Sequence, residues 1–442
     1  MRSPHRLRRM PTGVLAVGVA LALAASGCGT GSKSGGTTAA NTPGVTDDTV
    51  TIGSHQPLTG PAAPGYSEIA PAANAMFSYI NDNGGINGRK IKYIYKDDTY
   101  DPTKTFNVVK ELVLQDKVFA IFNGLGTPTH SAVADYLNTQ KVPDLFVASG
   151  ALQWDQPAKR PYTFGYQPDY VVEGKILGNH VKEEFAGKKV GYFVQGDDFG
   201  TDFMRGLDMY IDPASVVARE KYTPGNTNIG PQIANLKAKG ADVLVCACIP
   251  AYVALTILTK LKIGYAPKMV ISSVGADPTT LAGLLESFAK QGGATVEGNA
   301  LLNGITSDAY LPATTDTGNS WIQMFKKVHD KYIPKLPFDG NVEYGMSAAY
   351  LFAHALVRAG RDLTRQGIVD AIAKGGFTGP GLVPYRFSAG SHAGFAGAQI
   401  STLTNGVPTV QGTPLTTDDG SGPITPYNGT QPAAPANGIP SA

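Results

Sequence analysis

Short apolar runs alternate along the chain with segments in which apolar residues recur every three or four positions. The short runs predict strands and the spaced segments predict helices, because side chains repeat every two residues in a strand and every 3.6 in a helix. Before residue 165 the predicted strands are Thr49–Ser54, Lys90–Tyr95, Val118–Phe122 and Val142–Val147, and the predicted helices are Pro71–Asn83, a segment that follows Asp101-Pro102, and a segment from Thr127 to about Gln140.

The same alternation resumes after residue 165, and residues 318–375 are mainly helical in pattern. The later predicted strands are Lys189–Val194, Val216–Glu220, Asp242–Cys248 and Met269–Ser272, and the helices between them are Asp202–Tyr210, Ile229–Lys239 and Tyr252–Lys262. Alternating strands and helices indicate parallel sheets that are covered on both faces. Two such runs predict an α/β fold with two doubly wound parallel-sheet lobes.

The N-terminus has the pattern of an export signal. Arginines precede an apolar run, Val14–Ala25, that is too short to cross a bilayer as a stable helix. Small residues then lead into Cys28 and resemble a bacterial lipobox. We therefore expect residues 1–27 to be a signal peptide and Cys28 to be lipidated. An ordinary cleaved signal peptide with an incidental Cys is the alternative.

The segments that flank the alternating region are poor in large apolar residues. Residues 28–46 are mostly Gly, Ser, Thr, Ala and Asn, and residues 411–442 are rich in Pro, Gly, Thr and Ala. Such compositions bury too little apolar surface to order a chain. We expect the first to be a flexible lipid-anchored spacer and the second a disordered tail.

Charge and cysteine content exclude several functions. The 442 residues carry a formal net charge of only +2, and four arginines in the first nine residues supply it, so nothing favours nucleic acid as a partner.

Cys246 and Cys248 point to one face of a predicted buried strand. A disulfide at that spacing is rare and a metal site needs more ligands, so we expect two buried thiols.

Ligands of open α/β sheets bind beyond the carboxyl ends of the strands. In the first sheet Gly126 and Thr127 occupy that position after one strand, and Ser149, Gly150 and Ala151 after the next. Glycines allow close approach of the backbone, and a helix start favours an anion. A carboxylate is therefore the expected ligand group, and two routine tight turns are the alternative.

The second sheet offers Phe199, Tyr252 and Gly275 at the corresponding ends, together with Asp197 and Asp198. Phosphate-binding glycine loops and the Gly-x-Ser-x-Gly motif do not occur in the sequence, and its seven histidines have no metal-site spacing. We expect no cofactor, no metal and no catalytic residues.

Three motifs in order resemble one family. They are Pro57-Leu58-Thr59-Gly60-Pro61, Asn83-Gly84-Gly85-Ile86-Asn87-Gly88-Arg89, and Asp97-Asp98 followed by Asp101-Pro102. Residues 47–405 resemble the type I solute-binding proteins of ABC importers, the leucine/isoleucine/valine and amide-binding family. The resemblance implies three crossovers, near Tyr162–Gln167, Gly298–Ile305 and Leu382–Phe387. Lobe 1 would take residues 47–163 and 303–383, and lobe 2 residues 166–299 and 384–410.

The resemblance also implies a ligand site. Gly126 and Thr127 match the turn that holds a carboxylate in the family, and Ser149, Gly150 and Ala151 match the next turn. Residues that grip an amine are not matched, since Val274 stands where a Glu is frequent, and Asp169 is the candidate substitute. Phe199, Tyr66 and Tyr344 are implied wall residues. A carboxylate or amide on an apolar or aromatic body is the expected ligand.

The implied function is an extracytoplasmic, membrane-anchored monomer that delivers this ligand to an ABC permease. A ligand sensor of the same fold is one alternative. An exported hydrolase that uses Asp197 or Asp198 is another, although no nucleophile and base are recognisable in the sequence.

Overall fold

A computed structural model describes residues 42–441. The predicted signal peptide, the lipidation site Cys28 and the spacer up to residue 41 lie outside the described residues.

Strands and helices alternate through most of the described chain. The strands are β1 (Thr49–Gln56), β2 (Lys90–Asp97), β3 (Ile121–Phe122), β4 (Asp144–Val147), β5 (Thr163–Gly165), β6 (Val190–Gln195), β7 (Val216–Tyr222), β8 (Val243–Ala247), β9 (Lys268–Ile271), β10 (Thr306–Ala309), β11 (Gly397–Thr404), β12 (Val407–Thr416) and β13 (Thr425–Pro426). The helices are α1 (Ala63–Tyr66), α2 (Ile69–Asp82), α3 (Pro102–Leu114), α4 (Thr127–Ser131), α5 (Ala134–Thr139), α6 (Tyr170–Glu184), α7 (Asp198–Asp208), α8 (Gly230–Ala238), α9 (Pro250–Lys262), α10 (Pro278–Gln291), α11 (Gly298–Leu301), α12 (Ser320–Tyr332), α13 (Gly340–Ala359) and α14 (Arg365–Ala373).

The first lobe contains a parallel sheet in the order β2-β1-β3-β4-β5, covered by α1–α5 and α12–α14. Residues 118–122 are fully buried, as both faces of a parallel sheet are when helices cover them. On one face α2 packs along α13. As predicted, Asp101 starts α3, since its carboxylate accepts hydrogen bonds from the amides of Thr103 and Lys104.

The second lobe contains an eight-stranded sheet in the order β13-β12-β11-β10-β9-β8-β6-β7, with α6–α11 around it. β7, β6, β8, β9 and β10 are parallel, whereas β11, β12 and β13 are antiparallel additions. Two α/β lobes of this kind confirm the predicted fold class. The expectation that both sheets are wholly parallel is wrong for the last three strands.

One expected crossover lies later in the chain than predicted. β10 pairs with β9 through Thr306 and Val270, so residues 303–309 belong to the second lobe and not to the first. The crossover that was expected near Gly298–Ile305 therefore lies between β10 and α12. The sequence Thr306-Ser307-Asp308-Ala309 has no apolar run, and this polar strand was therefore not recognised.

Several helix boundaries differ from the prediction. The helix expected from Thr127 to Gln140 is divided into α4 and α5, because Val133, with φ −121°, leaves helical geometry. α7 starts at Asp198 instead of Asp202, since the carboxylate of Asp197 caps it through the amide of Phe199. α9 starts at Pro250 instead of Tyr252.

Cys246 and Cys248 are joined by a disulfide, so the expectation of two free thiols is wrong. Both residues are fully buried, as expected. Their Cα atoms are 5.4 Å apart, which lies in the range that a disulfide spans. The bridge lies at the carboxyl end of β8.

The segment after residue 410 is ordered and not the disordered tail that its composition predicted. β12 pairs with β11, so the tail extends the second sheet. Beyond β13 the chain passes to the first lobe, where the indole nitrogen of Trp321 donates to the Pro432 carbonyl at 2.8 Å and the Tyr79 hydroxyl to the Asn437 carbonyl at 2.8 Å. We call residues 411–441 the C-terminal strap. Backbone pairing orders it in spite of its few large apolar side chains.

The start of the strap encloses a buried lysine. The ammonium of Lys175 on α6, 1% exposed, donates to the carbonyls of Asp418, Gly420 and Gly422 at 2.8–2.9 Å and to the Asp418 carboxylate at 3.1 Å. Three N–H donors thus serve four acceptors. Among residues 42–441, no helix is long and apolar enough to span a bilayer.

Lys175→Met is expected to loosen the strap. The substitution leaves three carbonyls without their donor, and a loss of about 1–3 kcal/mol in the free energy of unfolding follows. Hydrogen exchange at the Gly420 and Gly422 amides, which donate to Asp418, should become faster. Lys182→Met is the matched control, because Lys182 is exposed on the same helix. Equal exchange rates in the two variants would contradict the role of Lys175.

Candidate functional site

A cavity of about 250 Å³ lies between the two lobes, at the carboxyl ends of the parallel strands. Aromatic residues of both lobes form part of its wall: Tyr66, Tyr100, Tyr170, Phe199, Tyr310 and Tyr344. Its polar lining residues include Thr127, Gln167, Ser273, Asp277, Ser307, Asp308, Asn341 and Glu343. Within the part of the chain that the structure describes, no Lys, Arg or His lines this cavity.

The first lobe contributes the turn before α4. Gly126 has φ 105°, and a side chain there would collide with Thr129 and Tyr100, so only glycine fits. Thr127 follows at the cavity wall, and its hydroxyl is 2.8 Å from the hydroxyl of Ser149. Ser149 therefore orients Thr127 from behind the wall.

Five of the predicted site residues line the cavity: Tyr66, Gly126, Thr127, Phe199 and Tyr344. Phe199 is only 1% exposed and packs on Tyr170, with ring centroids 4.4 Å apart. Tyr100, Tyr170 and Tyr310 line the same cavity.

Six predicted site residues lie outside the lining: Ser149, Gly150, Ala151, Asp169, Tyr252 and Gly275. Gly150 lies directly under Tyr170 and the Pro168 carbonyl, and Gly275 against the Cys248 carbonyl. Both glycines therefore serve close packing behind the walls.

Asp169 and Tyr252 have partners away from the cavity. The carboxylate of Asp169 caps α6 through the amide of Val172 at 2.8 Å and pairs with Arg386 at 3.0 Å. Burial raises the pKa of Asp169 to about 7, against the lowering effect of Arg386. Tyr252 stacks on Tyr222, and its hydroxyl donates to backbone carbonyls of the loop after β7.

A pair of buried carboxyl groups at the cavity was missed from the sequence. Oε1 of Glu173 on α6 accepts hydrogen bonds from the Ser272 hydroxyl at 2.8 Å and from the Ser273 amide and hydroxyl at 2.7 Å. Oδ1 of Asp308 on β10 accepts from the Ser273 amide at 3.2 Å. Burial, and then the charge of Glu173, raise the pKa of Asp308 well above its usual range. The only signal in the sequence is an acidic residue within a short polar strand.

A row of four buried side chains lies behind the first-lobe turn. Nδ1 of His55 is 2.8 Å from Asp98, Nε2 of His55 is 2.9 Å from Nδ1 of His130, and Nε2 of His130 is 2.8 Å from Asp144. Burial lowers the pKa of His55, against the raising effect of its hydrogen bond to Asp98.

Direct hydrogen bonds join the lobes on both sides of the cavity. On one side the Tyr66 hydroxyl donates to the Val274 carbonyl at 2.6 Å, and the Gly340 amide to the Asp277 carboxylate at 3.0 Å. On the other side the amide of Leu152 donates to Asp202 at 2.9 Å. Such contacts exist only when the lobes have approached each other, so the structure is a closed form.

Two α/β lobes that enclose a cavity at the carboxyl ends of their strands define a bilobed binding protein. A model of the periplasmic binding protein family matches residues 49–413. The chain belongs to this family, and the resemblance to type I solute-binding proteins is confirmed.

Curated relatives match only in part. Leu/Ile/Val-binding protein homolog 3 of Brucella melitensis is 24% identical over 44% of this chain and 53% of its own length. Homolog 1 of Brucella abortus is 35% identical over 44% of this chain and 53% of its own length. The chain spans about half the length of the curated relatives it matches.

Solved structures share the fold at low identity. A branched-chain amino acid ABC transporter protein from Thermus thermophilus with bound valine has a TM-score of 0.72 at 18% identity, over 84% of this chain and 97% of its own. A fatty acid ABC transporter substrate-binding protein from Thermomonospora curvata has a TM-score of 0.72 at 22% identity, over 87% and 97%. These likenesses support the two-lobed fold.

Tyr66→Phe is expected to weaken the closed form. The change removes the hydroxyl that donates to Val274 across the lobes, and a hydrogen bond of this kind contributes about 1 kcal/mol. The population of open molecules in the unliganded protein should rise about fivefold, as measured by spin-label distances between the lobes. Tyr192→Phe is the control, since its hydroxyl donates to Asp208 within the second lobe. Identical distance distributions in both variants would refute the expectation.

Proposed function

We propose that this chain is an extracytoplasmic solute-binding protein that captures a small molecule between its lobes and delivers it to an ABC permease. The observation that carries the proposal is the cavity at the carboxyl ends of both sheets, closed by hydrogen bonds between the lobes. A ligand that contacts both lobes favours the closed form, and a permease distinguishes that form from the open one. The protein is expected to act as a monomer.

The ligand is a carboxylate or an amide on an apolar or aromatic body. Thr127, with Ser149 behind it, offers a hydroxyl at one wall, and tyrosine rings supply the apolar surface. The names of relatives and structural neighbours, which refer to leucine, isoleucine, valine and fatty acids, are consistent with an apolar body.

The hydrolase alternative loses its support. Asp197 caps α7 and accepts a hydrogen bond from Gln195 at 2.7 Å, and Asp198 accepts one from Gln153 of the first lobe at 2.9 Å. Both carboxylates are thus engaged in hydrogen bonds that hold the structure together.

Ligand binding without turnover tests the proposal. Branched-chain amino acids, aromatic acids and their amides are screened by thermal shift, and hits are followed by calorimetry and mass spectrometry. A ligand present at 100 times its Kd should add about 2.7 kcal/mol to the free energy of unfolding. The ligand should be recovered unchanged at one molecule per chain. Conversion of the ligand, or no stabilisation by any member of the panel, would contradict the proposal.

The proposal includes a lipid anchor at Cys28 on the extracytoplasmic face of the membrane. Cys28→Ser is expected to move the protein from the membrane fraction to the soluble extracytoplasmic fraction, because the thiol that accepts the lipid is gone. Cell fractionation and the mass of the N-terminal peptide check this. If Cys28→Ser and the unchanged chain appear in the soluble extracytoplasmic fraction in equal amounts, the result would favour an ordinary cleaved signal peptide.

A further inference from the structure

We infer that the cavity between the lobes continues into a groove of the second lobe, and that this groove holds an extended apolar chain of the solute. The inference rests on the proposed function and specifies the length and shape of its ligand. The groove lies between the segment that follows β10 and the hairpin of β11 and β12. We call it the side groove, and define it by the cavity-lining residues Leu311, Pro312, Ser401, Leu403, Pro408 and Val410.

One face of the second sheet forms the floor of the side groove. Ser307 on β10 pairs with Ser401 on β11, and Ser401 pairs with Val410 on β12. Directly paired residues point to the same face, so these three side chains form a row across the sheet, beside the pair of Leu403 and Pro408. Neighbouring strands are about 4.8 Å apart, and the row therefore spans about 10 Å.

The row leads from the cleft to the surface of the second lobe. Ser307 and Val410 line the same cavity as Thr127 of the first lobe. Ser401 is 4% exposed, whereas Val410 is 42% exposed. The side groove is thus covered next to the cleft and open at its far end. A solute whose polar group lies at Thr127 could extend along this row while the lobes are closed, but only if its apolar part is longer than a leucine side chain.

The side groove is uncharged. The segments 311–315 and 401–410, which border it, contain no Asp, Glu, Lys, Arg or His. The polar side chains that these segments contribute to the cavity lining are hydroxyls, those of Ser401, Thr314 and Thr315. A hydrocarbon chain therefore desolvates no charge when it enters, whereas a charged group would lose its hydration without a partner.

Prolines remove backbone donors from the side groove. Pro312 lies in the segment after β10 and Pro408 on β12, and Pro278 lines the cavity at the first turn of α10. A proline has no N–H group. An apolar chain cannot accept a hydrogen bond, so a wall with fewer N–H groups leaves fewer donors unsatisfied when water is displaced.

The test uses unbranched compounds of increasing length. Calorimetry on the whole protein compares hexanoate, octanoate, decanoate and dodecanoate below their micelle-forming concentrations, together with hexanamide, octanamide and decanamide. Each buried methylene should tighten binding about threefold, so decanoate should bind at least about 30-fold more tightly than hexanoate. The gain should level off once the chain passes Val410, because further methylenes remain in water.

Val410→Asp is the matched variant, and Val407→Asp is its control. Both valines lie on β12 and are similarly exposed, at 42% and 46%, but only Val410 lines the cavity. Because both side chains are on the surface, we expect both variants to fold. Val410→Asp should reduce the preference for decanoate over hexanoate, and for decanamide over hexanamide, at least about tenfold, because a carboxylate loses hydration beside the chain. Val407→Asp should retain both preferences.

Photo-crosslinking gives a second readout that needs no variant. A dodecanoate that carries a diazirine near its terminal carbon is bound to the unchanged protein and irradiated, and the labelled peptides are identified by mass spectrometry. The label should lie within 311–315 or 401–410. Unlabelled decanoate should compete with it.

Four results would overturn the inference and leave the proposed function standing. They are an affinity that does not rise with chain length, an equal effect of Val410→Asp and Val407→Asp, a label outside both segments, and binding of branched-chain amino acids or aromatic acids but of none of the seven unbranched compounds. No binding by any compound of either panel would count against both the inference and the proposed function.

Discussion

The row Asp98–His55–His130–Asp144 is the interaction on which the first-lobe wall depends. It joins β1, the loop after β2, α4 and β4 through three hydrogen bonds that are sealed from water. Gly124 lies so close to the two imidazoles that a side chain there would collide with them. The turn that carries Gly126 and Thr127 therefore rests on a polar support whose groups are all paired, and such a network is rigid.

The second-lobe wall follows the opposite principle. Its carboxyl pair, Glu173 and Asp308, is buried with hydroxyl and amide donors but without a basic partner among residues 42–441. The first-lobe wall thus rests on side chains that are all hydrogen-bonded, whereas the second-lobe wall contains carboxyl groups without a counter-charge among the described residues. When the lobes meet, the hydrogen bond from Tyr66 to Val274 closes the cavity at the side of this pair.

The architecture could be predicted from the sequence because alternating apolar runs and helical spacing are local signals. The turn at Gly126 and Thr127 was found in the same way, from a glycine and a cap after an apolar strand. The pair of Glu173 and Asp308 could not be found, since it joins a helix to a polar strand 135 positions further on. Tyr252 was predicted to lie at the ligand site but does not line the cavity, because its place after a strand determines the position of its backbone and not the direction of its side chain. The C-terminal strap was misjudged because backbone pairing with β11, and not its own composition, orders it.

The strap makes a further connection between the lobes, which ends in hydrogen bonds to the first lobe. It leaves the second sheet after β13 and reaches the first lobe at Trp321 and Tyr79. An attachment of this kind limits how far the lobes can separate while both of its ends stay bound. Separation of the lobes then requires slack in the strap or release of its end from α12. The amplitude of opening, and with it the size of solute that can enter, is therefore set in part by the last thirty or so residues of the chain.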